Sequence, residues 1–412
     1  MTVWMARRLG PSDYGVLSFA TAWMALATVL APLGLSVVLP GALAERRRRS
    51  RVLLASAGAI RVFGAVTTVS VGLAVFLVLR PLDGAGVPVI WWLAVAHLAA
   101  AGDLFQWWFQ SQEDWRPIVV ARQIALWTMV VARSVLLVLD ADLLWFAAAV
   151  AIEQVVSSAV LVAAFRSSVL PAGQTNVSLG VCTKALVKRG LPAAAAGLAI
   201  MVYMRTDQVM IGALLGAPAA GRYAIGIRIS EIWYVVPAAL AETAIPSIVR
   251  LRTRDPDQYR RAISRVAGMG FWLSVFAAGA ATAIASPVIR LVFGPGYAPA
   301  IGVLRVHIWA APFVAIGWAF RTWIVAEQQY RLQLFRTTLG AVTNVTLNAM
   351  LIPAMGLPGA AAATVAAQAV SAWGTAYLFS SMKPARAAVI RGIVSPDWRA
   401  VFYTGGREPR DG

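Results

Sequence analysis

Charged residues, cysteine and histidine are all scarce in this sequence. Only 13% of its 412 residues are charged, whereas a soluble domain carries about 25%, and the mean hydropathy is +0.71. One cysteine, Cys182, excludes a disulfide framework, and with only His97 and His307 beside it too few ligands remain for a zinc or iron–sulfur site. We therefore expect a membrane protein with no metal and no cofactor.

Lysine is also nearly absent, since only Lys184, Lys188 and Lys383 stand among the 36 basic residues. The net charge of +18 would suit a nucleic-acid-binding protein, but such proteins collect their basic residues on a folded polar surface, and here long apolar runs separate the basic clusters. We therefore expect no nucleic-acid partner and interpret the charge as a signal of membrane topology.

Long apolar runs dominate the chain. Windows of about 20 residues are long enough to cross the hydrocarbon core of a bilayer. Eleven such spans begin near Gly15, Leu53, Val87, Ile118, Leu143, Leu191, Gly221, Val266, Ile301, Thr337 and Leu357. The stretch Met1 to Tyr14 is too short to cross and contains Arg7 and Arg8, so we expect it to be the end of a first helix that is largely missing.

The basic loops predict the orientation of the chain in the membrane. When the remnant is counted as span 1, the loops that follow even-numbered spans are the basic ones, at residues 46–51, 166–189, 250–265 and 382–412. Since basic loops are retained in the cytoplasm, we expect a multi-pass protein of the cytoplasmic (inner) membrane with both termini on the cytoplasmic side. The loops are too short for a catalytic domain outside the membrane.

An internal repeat appears at an offset of 206 residues. The pairs brought into register are Leu9-Gly10 with Leu215-Gly216, Gly15 with Gly221, Pro40 with Pro246, Arg46 with Arg252, and Arg48 with Arg254. Six spans fit in one repeat, so the halves would share one orientation. We predict two pseudo-symmetric six-helix bundles, at residues 1–165 and 190–381, with a cytoplasmic linker at 166–189 and a basic cytoplasmic tail at 382–412.

Four motifs resemble one known family in their order and spacing. They are Ala6-Arg7-Arg8-Leu9-Gly10-Pro11-Ser12-Asp13-Tyr14-Gly15, Arg205-Thr206-Asp207-Gln208-Val209-Met210-Ile211-Gly212, Phe293-Gly294-Pro295-Gly296-Tyr297-Ala298-Pro299-Ala300, and the run from Asn344 through Pro353 to Ala361. From Ala6 to about Phe379 the chain resembles the polysaccharide and oligosaccharide (O-antigen-type) flippases of the MATE-like superfamily. The resemblance implies two similar helical halves, alternating access, and an undecaprenyl-diphosphate-linked oligosaccharide as cargo for surface polysaccharide or lipopolysaccharide biosynthesis.

Arginines inside the spans are the candidates for binding the cargo headgroup. An ionisable residue within a bilayer is costly, at about 2.5–3.5 kcal/mol on insertion scales, and therefore tends to face the protein interior. Guanidinium groups stay charged and bind phosphate through two donors. The substrate-binding candidates are Arg61, Arg122, Arg133, Arg205, Arg228 and Arg305. For each of them, an interfacial position or a simple ion pair is the alternative.

Acidic residues inside the spans are candidates for coupling transport to protons or sodium. They are Asp103, Glu153, Asp207, Glu231 and Glu242. Asp103 forms a helical stripe with Gln106 and Gln110, whereas Arg228, Glu231 and Glu242 would share one face of a continuous helix. Structural ion pairing is the alternative role for every one of these carboxylates.

The leading hypothesis is a transporter and not an enzyme, with lipid-linked oligosaccharide, membrane lipids and polysaccharide assembly proteins as its partners. A multidrug exporter of the same superfamily is an alternative, although organic cations would call for an acidic cavity. A membrane-embedded glycan polymerase or ligase is another, although it would be expected to present a long external loop with catalytic side chains. A scaffold without transport activity remains a further alternative.

Overall fold

The computed structural model describes residues 1–79, 84, 86–167 and 178–396, and every regular element in this part of the chain is a helix. The first eight α-helices are α1 (Thr2–Thr28), α2 (Leu35–Glu45), α3 (Ser50–Leu79), α4 (Gly86–Ala99), α5 (Asp103–Ser111), α6 (Arg116–Val138), α7 (Leu143–Arg166) and α8 (Leu179–Leu215). Residues 168–177 of the predicted linker and 397–412 of the predicted tail lie outside the described residues.

Nine further α-helices follow. They are α9 (Ala217–Glu231), α10 (Val235–Arg254), α11 (Pro256–Val288), α12 (Ala300–His307), α13 (Ala310–Ala326), α14 (Tyr330–Met355), α15 (Leu357–Ala369), α16 (Thr375–Leu378) and α17 (Lys383–Val394). Two short π-helical segments continue α11 and α15, at Ile289–Phe293 and Val370–Gly374.

Nine of the predicted spans coincide with helices long and apolar enough to cross a membrane, within the residues that the structure describes. The two exceptions are interrupted. The window beginning near Gly15 stops when α1 ends at Thr28 and resumes as the short helix α2. The window beginning near Leu357 is divided by the π-helical segment between α15 and α16.

The surface of these helices is apolar, as expected for a chain whose solvent is lipid. Phe63, Val78 and Phe276 are 73%, 81% and 77% exposed. Such side chains would be costly in water but gain nothing from burial when hydrocarbon surrounds them.

The chain divides into two compact units. Unit 1 comprises Met1–Ala224 together with Arg290–Tyr297, and unit 2 comprises Ile225–Ile289 together with Ala298–Gly412. The long helix α8 therefore belongs to unit 1, although the repeat assigns its membrane-crossing part to the second half. The predicted bundle boundaries stay a prediction, and α8 itself begins at Leu179 and not near Leu191.

Each unit has its own apolar core. In unit 1 the buried cluster includes Leu35, Leu39, Leu43, Leu53, Ile60, Trp107, Trp108, Ile118, Leu161 and Leu186. In unit 2 it includes Ile248, Ile263, Ile316, Phe320, Trp323, Leu332, Met382 and Val389. The cluster of unit 2 also includes Ala385 and Ala388, which lie on α17 with Val389, so this basic segment is a packed helix of unit 2.

Two glycines attach α8 to the other helices of unit 1, where it packs against α1, α2 and α3. The turn between α1 and α2 has positive φ angles at Leu33 and Gly34. A methyl group on Gly34 would overlap the carbonyl oxygen of Gly190 in α8, and one on Gly190 would overlap that of Leu33. Small residues of this kind allow membrane helices to pack backbone to backbone.

The predicted repeat is visible at one turn. Gly10 has φ 70° and ψ 176°, and Gly216, which lies 206 residues later, has φ 82° and ψ 174°. Both angles are in a region that residues with a Cβ rarely adopt. The two glycines therefore make the same bend ahead of a new helical segment, which supports the repeat at this position.

The helices that follow these two bends are in direct contact inside unit 1. A methyl group on Gly15 would overlap the carbonyl oxygen of Ala217, and one on Gly221 would overlap that of Pro11. Ala217 is the repeat equivalent of Pro11, and Gly221 is the equivalent of Gly15. The contact is therefore reciprocal, as across a two-fold axis.

A segment from further along the chain completes unit 1. The Tyr297 hydroxyl donates a 2.9 Å hydrogen bond to the carbonyl of Ala6, and its ring packs edge-on against Tyr14. Arg222 Nε donates to the carbonyl of Gly296 at 3.2 Å. The motif at Ala6–Gly15 therefore contacts the motif at Phe293–Ala300. Tyr14 and Tyr297 of these motifs hold the segments together.

Replacing Gly15 or Gly221 by alanine should destabilise the protein. Each added methyl group meets backbone atoms that cannot rotate away, and we expect a loss of about 1–3 kcal/mol, which is typical of overpacking. Thermal unfolding of the purified protein in detergent measures this loss. Gly197→Ala in α8 is the control, because no atom lies within 4 Å of the new methyl group. An equal loss in the control would contradict the packing explanation.

Candidate functional site

A cluster of polar side chains lies among the helices of unit 1. Its centre is Arg61 on α3, which is 7% exposed. Arg61 Nη2 donates to the carbonyl of Ala100 at 2.9 Å and lies 3.9 Å from Asp103 Oδ2. We call Arg61, Asp103, Gln106, Arg122 and Gln154 the α3–α7 polar cluster.

The other members extend the cluster to α6 and α7. Gln154 Nε2 donates to Asp103 Oδ1 at 3.4 Å, and Arg122 Nη2 donates to Gln106 Oε1 at 3.4 Å. Asp103 and Gln106 of the predicted stripe therefore contact arginines from two other helices. Sequence spacing gave no indication of these partners.

An irregular turn positions this cluster. Residues Ala100–Gly102 form a 3₁₀ turn between α4 and α5, and the carbonyl groups there accept side-chain hydrogen bonds. Ala100 accepts from Arg61, and Ala99 accepts from Ser158 of α7 at 2.8 Å. Since unpaired carbonyl groups are costly inside a bilayer, Arg61 has a structural role at this turn as well as a positive charge.

Arg133 and Glu153 form the neighbouring charged pair, on α6 and α7. Both side chains are half-buried, and the carboxylate of Glu153 lies within electrostatic range of Arg133. Unit 1 therefore brings three of the arginine candidates and two of the acidic candidates to the same four helices.

Asp207 lies in a separate, fully enclosed position of unit 1. Its side chain is buried, with 4% exposure. Asp207 Oδ2 accepts a 2.5 Å hydrogen bond from the hydroxyl of Tyr223 in α9, and Oδ1 accepts from the backbone N–H of Gln208. Arg205 is half-buried and within electrostatic range of this carboxylate. The arrangement connects α8 to α9.

The candidates in unit 2 are dispersed. Arg228 and Arg305 have exposed side chains, and Arg305 Nε donates to the carbonyl of Thr282 at 3.4 Å. Glu231 is half-buried, and Glu242 forms a 2.9 Å ion pair with Arg321.

The prediction that Arg228, Glu231 and Glu242 share one face of a helix stays a prediction. A 3₁₀ turn at Ile232–Tyr234 lies between α9, which carries Arg228 and Glu231, and α10, which carries Glu242. The rotation of about 100° per residue on which the prediction was based does not apply within this turn.

Sequence reasoning missed two arginines that the structure places in unit 2. Arg336 is 6% exposed and donates to the carbonyl groups of Ser371 and Gly317 at 3.2 and 3.1 Å. It stands one residue ahead of the window that begins near Thr337, so it was counted with the loop. Arg321 also stacks on the ring of Trp318, and its position inside an apolar run was the signal that could have identified it.

Other polar residues of unit 2 bond to neighbouring helices. His307 Nδ1 is 2.9 Å from the hydroxyl of Ser230, and Asn344 Nδ2 donates to Thr364 of α15 at 3.3 Å. Among the residues described, no three His, Cys, Asp or Glu side chains come together as potential metal ligands.

Comparison with known families identifies the chain. Residues 1–252 match the family described as polysaccharide biosynthesis protein, and this match covers more than half of the 412 residues. The chain belongs to the polysaccharide biosynthesis protein family. Over 173 residues it is also 27% identical to the probable flippase AglR of Haloferax volcanii, an alignment that covers 40% of this chain and only 35% of that relative.

Solved structures of transporters share the fold. An inward-facing multidrug resistance MATE family transporter of the MOP superfamily has a TM-score of 0.76 at 15% identity, over 96% of this chain and 94% of its own. The lipid II flippase MurJ in an inward closed conformation has 0.67 at 11% identity, over 95% and 88%. At such identities the likeness shows the fold alone. It confirms the predicted all-α, MATE-like fold of a multi-pass membrane protein.

Arg61 and Asp103 should be energetically coupled. Asp103→Asn removes the carboxylate that faces a buried guanidinium group. We expect a coupling of about 0.5–3 kcal/mol in a double-mutant cycle with Arg61→Met, at the lower end because the Asp103 side chain is 36% exposed. Thermal unfolding in detergent measures each variant. Asp142→Asn, at an exposed carboxylate, is the control, and additive effects of the two changes would contradict the ion pair.

Tyr223→Phe should destabilise unit 1. The change removes the side-chain donor from a buried carboxylate and leaves it with the backbone N–H of Gln208, at a cost of about 1–3 kcal/mol. Tyr330→Phe, whose ring is 61% exposed, is the matched control. Equal unfolding temperatures for Tyr223→Phe and the wild type would show that this hydrogen bond is not structural.

Proposed function

We propose that this chain is a flippase that moves an undecaprenyl-diphosphate-linked oligosaccharide across the cytoplasmic membrane by alternating access, for surface polysaccharide biosynthesis. In this proposal the protein is a transporter and not an enzyme, and both termini are cytoplasmic. The family match, the flippase AglR among its relatives and the MATE-like fold support transport. The arginines of the polar cluster in unit 1 support the choice of a diphosphate-bearing cargo.

The α3–α7 polar cluster is the observation that carries the proposal. Arg61 and Arg122 belong to it, and Arg133 lies on the same helix as Arg122. Arg122 is exposed on a largely apolar helix, and a charged side chain facing lipid would be costly. We infer that this side of α6 faces a polar, water-accessible space, where guanidinium groups are suited to bind a diphosphate.

The acidic neighbours suggest how the site releases its cargo. Asp103 and Glu153 face Arg61 and Arg133. A diphosphate would compete with these carboxylates for the same guanidinium groups. Protonation of a carboxylate, or its binding of sodium, would then alter the affinity for the cargo. Glu231, Glu242 and Asp207 remain coupling candidates, although the ion pair of Glu242 and the hydrogen bond to Asp207 favour structural roles.

Arg205, Arg228 and Arg305 remain candidates for contacts with the cargo in the rest of the chain. A multidrug exporter is the alternative within the same fold, and the similarity to a multidrug resistance transporter is compatible with it. Organic cations would be repelled by arginines that outnumber the acids around α6, so we favour the anionic cargo.

Arg122→Gln/Arg133→Gln should lower cargo transport. Each change removes donors for charge-assisted hydrogen bonds, which contribute about 1.5–3 kcal/mol each, so we expect a rate lower by at least about tenfold. The measurement follows a fluorescent undecaprenyl-diphosphate oligosaccharide to the far leaflet of vesicles that contain the full-length protein. Arg116→Gln/Arg166→Gln is the matched control. It removes the same two positive charges, but from exposed arginines at the start of α6 and the end of α7.

Two outcomes would contradict the proposal. Transport no faster than in protein-free vesicles would exclude flipping of this cargo, and equal losses in both double variants would exclude a specific role for the α6 arginines. Uptake of an organic cation by the same vesicles would favour the exporter, and lengthening of the glycan would favour a polymerase or ligase.

A further inference from the structure

A cationic cavity of about 400 Å³ opens on unit 2. It is lined by the first turns of α11 and by the end of α17. Its lining residues are Asp257, Arg260, Arg261, Ser264, Arg265, Arg391 and Ser395. Four of these seven residues are arginines and one is acidic, so the cavity has a strong excess of positive charge.

The cavity exists because two glycines bring α17 against α11. A methyl group on Gly392 would overlap the carbonyl oxygen of Ser264, and one on Gly268 would overlap that of Gly392. Trp272 Nε1 donates to the carbonyl of Ile393 at 2.9 Å and holds the end of α17 in place. Arg391 is thereby positioned beside the arginines of α11, although it is distant from them in sequence.

Asp257 is the one carboxylate among the described lining residues. Asp257 Oδ1 accepts from Arg260 at 3.0 Å, and the Asp257 carbonyl accepts from Arg261 Nε at 3.3 Å. Like charges at such short range repel one another. Retention of positive loops in the cytoplasm explains a basic segment after α10, but it does not explain why Arg391 from another segment converges on the same cavity. A bound anion does.

The surroundings favour an anion that belongs to a lipid. Ile390 and Val394 on α17 are 38% and 74% exposed, and they flank Arg391 and Ser395. α11 is itself a predicted membrane span, and its first turns follow a loop expected on the cytoplasmic side, where anionic lipids attract basic residues. Apolar side chains beside the cavity would contact acyl chains, which a free phosphate ion lacks.

We propose that this cavity binds the phosphate group of an anionic phospholipid, with Arg261, Arg265 and Arg391 as its ligands and Val394 against the acyl chains. The bound lipid neutralises the arginines and fixes α17 to α11. This site is independent of the cargo and of the proposed transport activity, since it lies on different helices from the α3–α7 polar cluster.

Lipid binding to the purified full-length protein tests the site. Native mass spectrometry would measure retention of phosphatidylglycerol, phosphatidylcholine and inorganic phosphate. We expect phosphatidylglycerol to bind at least about tenfold more tightly than phosphatidylcholine, and Arg261→Gln/Arg265→Gln/Arg391→Gln to lower that affinity at least about tenfold. The control Arg46→Gln/Arg48→Gln/Arg49→Gln removes the same charge from an exposed 3₁₀ segment of unit 1 and should change the affinity less than about twofold.

Further variants keep the test decisive if the triple change disturbs folding. Arg391→Gln alone and Val394→Ser should each weaken phosphatidylglycerol binding, with unchanged elution from a sizing column. Equal losses in the cavity and control variants would mean that surface charge alone binds the lipid, and would overturn the proposal. Inorganic phosphate that binds as tightly as the lipid, or lipid affinity unaffected by both single variants, would overturn it as well.

Discussion

Close contact between backbones, made possible by glycine, is the constraint on which the rest of this structure depends. Burial of apolar side chains cannot hold helices together when the solvent is hydrocarbon. Gly15 with Gly221 and Gly34 with Gly190 join helices within unit 1, and Gly268 with Gly392 does so within unit 2. Van der Waals contact and tightly packed backbone dipoles replace the hydrophobic effect at these points. A methyl group at any of them would separate the helices.

The same solvent restricts where charge can lie. Carbonyl groups left unpaired at irregular turns receive arginine donors, as Ala100 does from Arg61 and Ser371 does from Arg336. Arginine therefore serves two purposes in this protein. It donates hydrogen bonds to carbonyl groups where a helix is interrupted, and it provides positive charge for an anionic ligand. In the α3–α7 polar cluster the two purposes coincide at Arg61, whereas Arg336 donates to two carbonyl groups of unit 2.

Much of the fold could be predicted from the sequence, because the length of an apolar run and the position of a glycine are signals that can be read locally. Nine spans and the pairing of Gly10 with Gly216 in the repeat followed from such signals. The stripe from Asp103 was also predictable, but its partners on α3 and α7 depend on tertiary packing. The 3₁₀ turn between Arg228 and Glu242 was not predictable, because such a turn leaves no mark on apolar periodicity. α17 was missed because a short alanine-rich helix with basic residues resembles a solvated tail.

The segment Arg290–Tyr297 has a consequence for how the protein is made. Unit 1 contains residues from the start of the chain, yet Tyr297 must reach Ala6 to complete it. Synthesis proceeds from the amino terminus, so the early helices enter the membrane long before their last partner leaves the ribosome. Unit 1 can therefore be completed only after α9, α10 and α11 have been synthesised. The order of the chain delays the closing of its first unit until the first part of the second has been made.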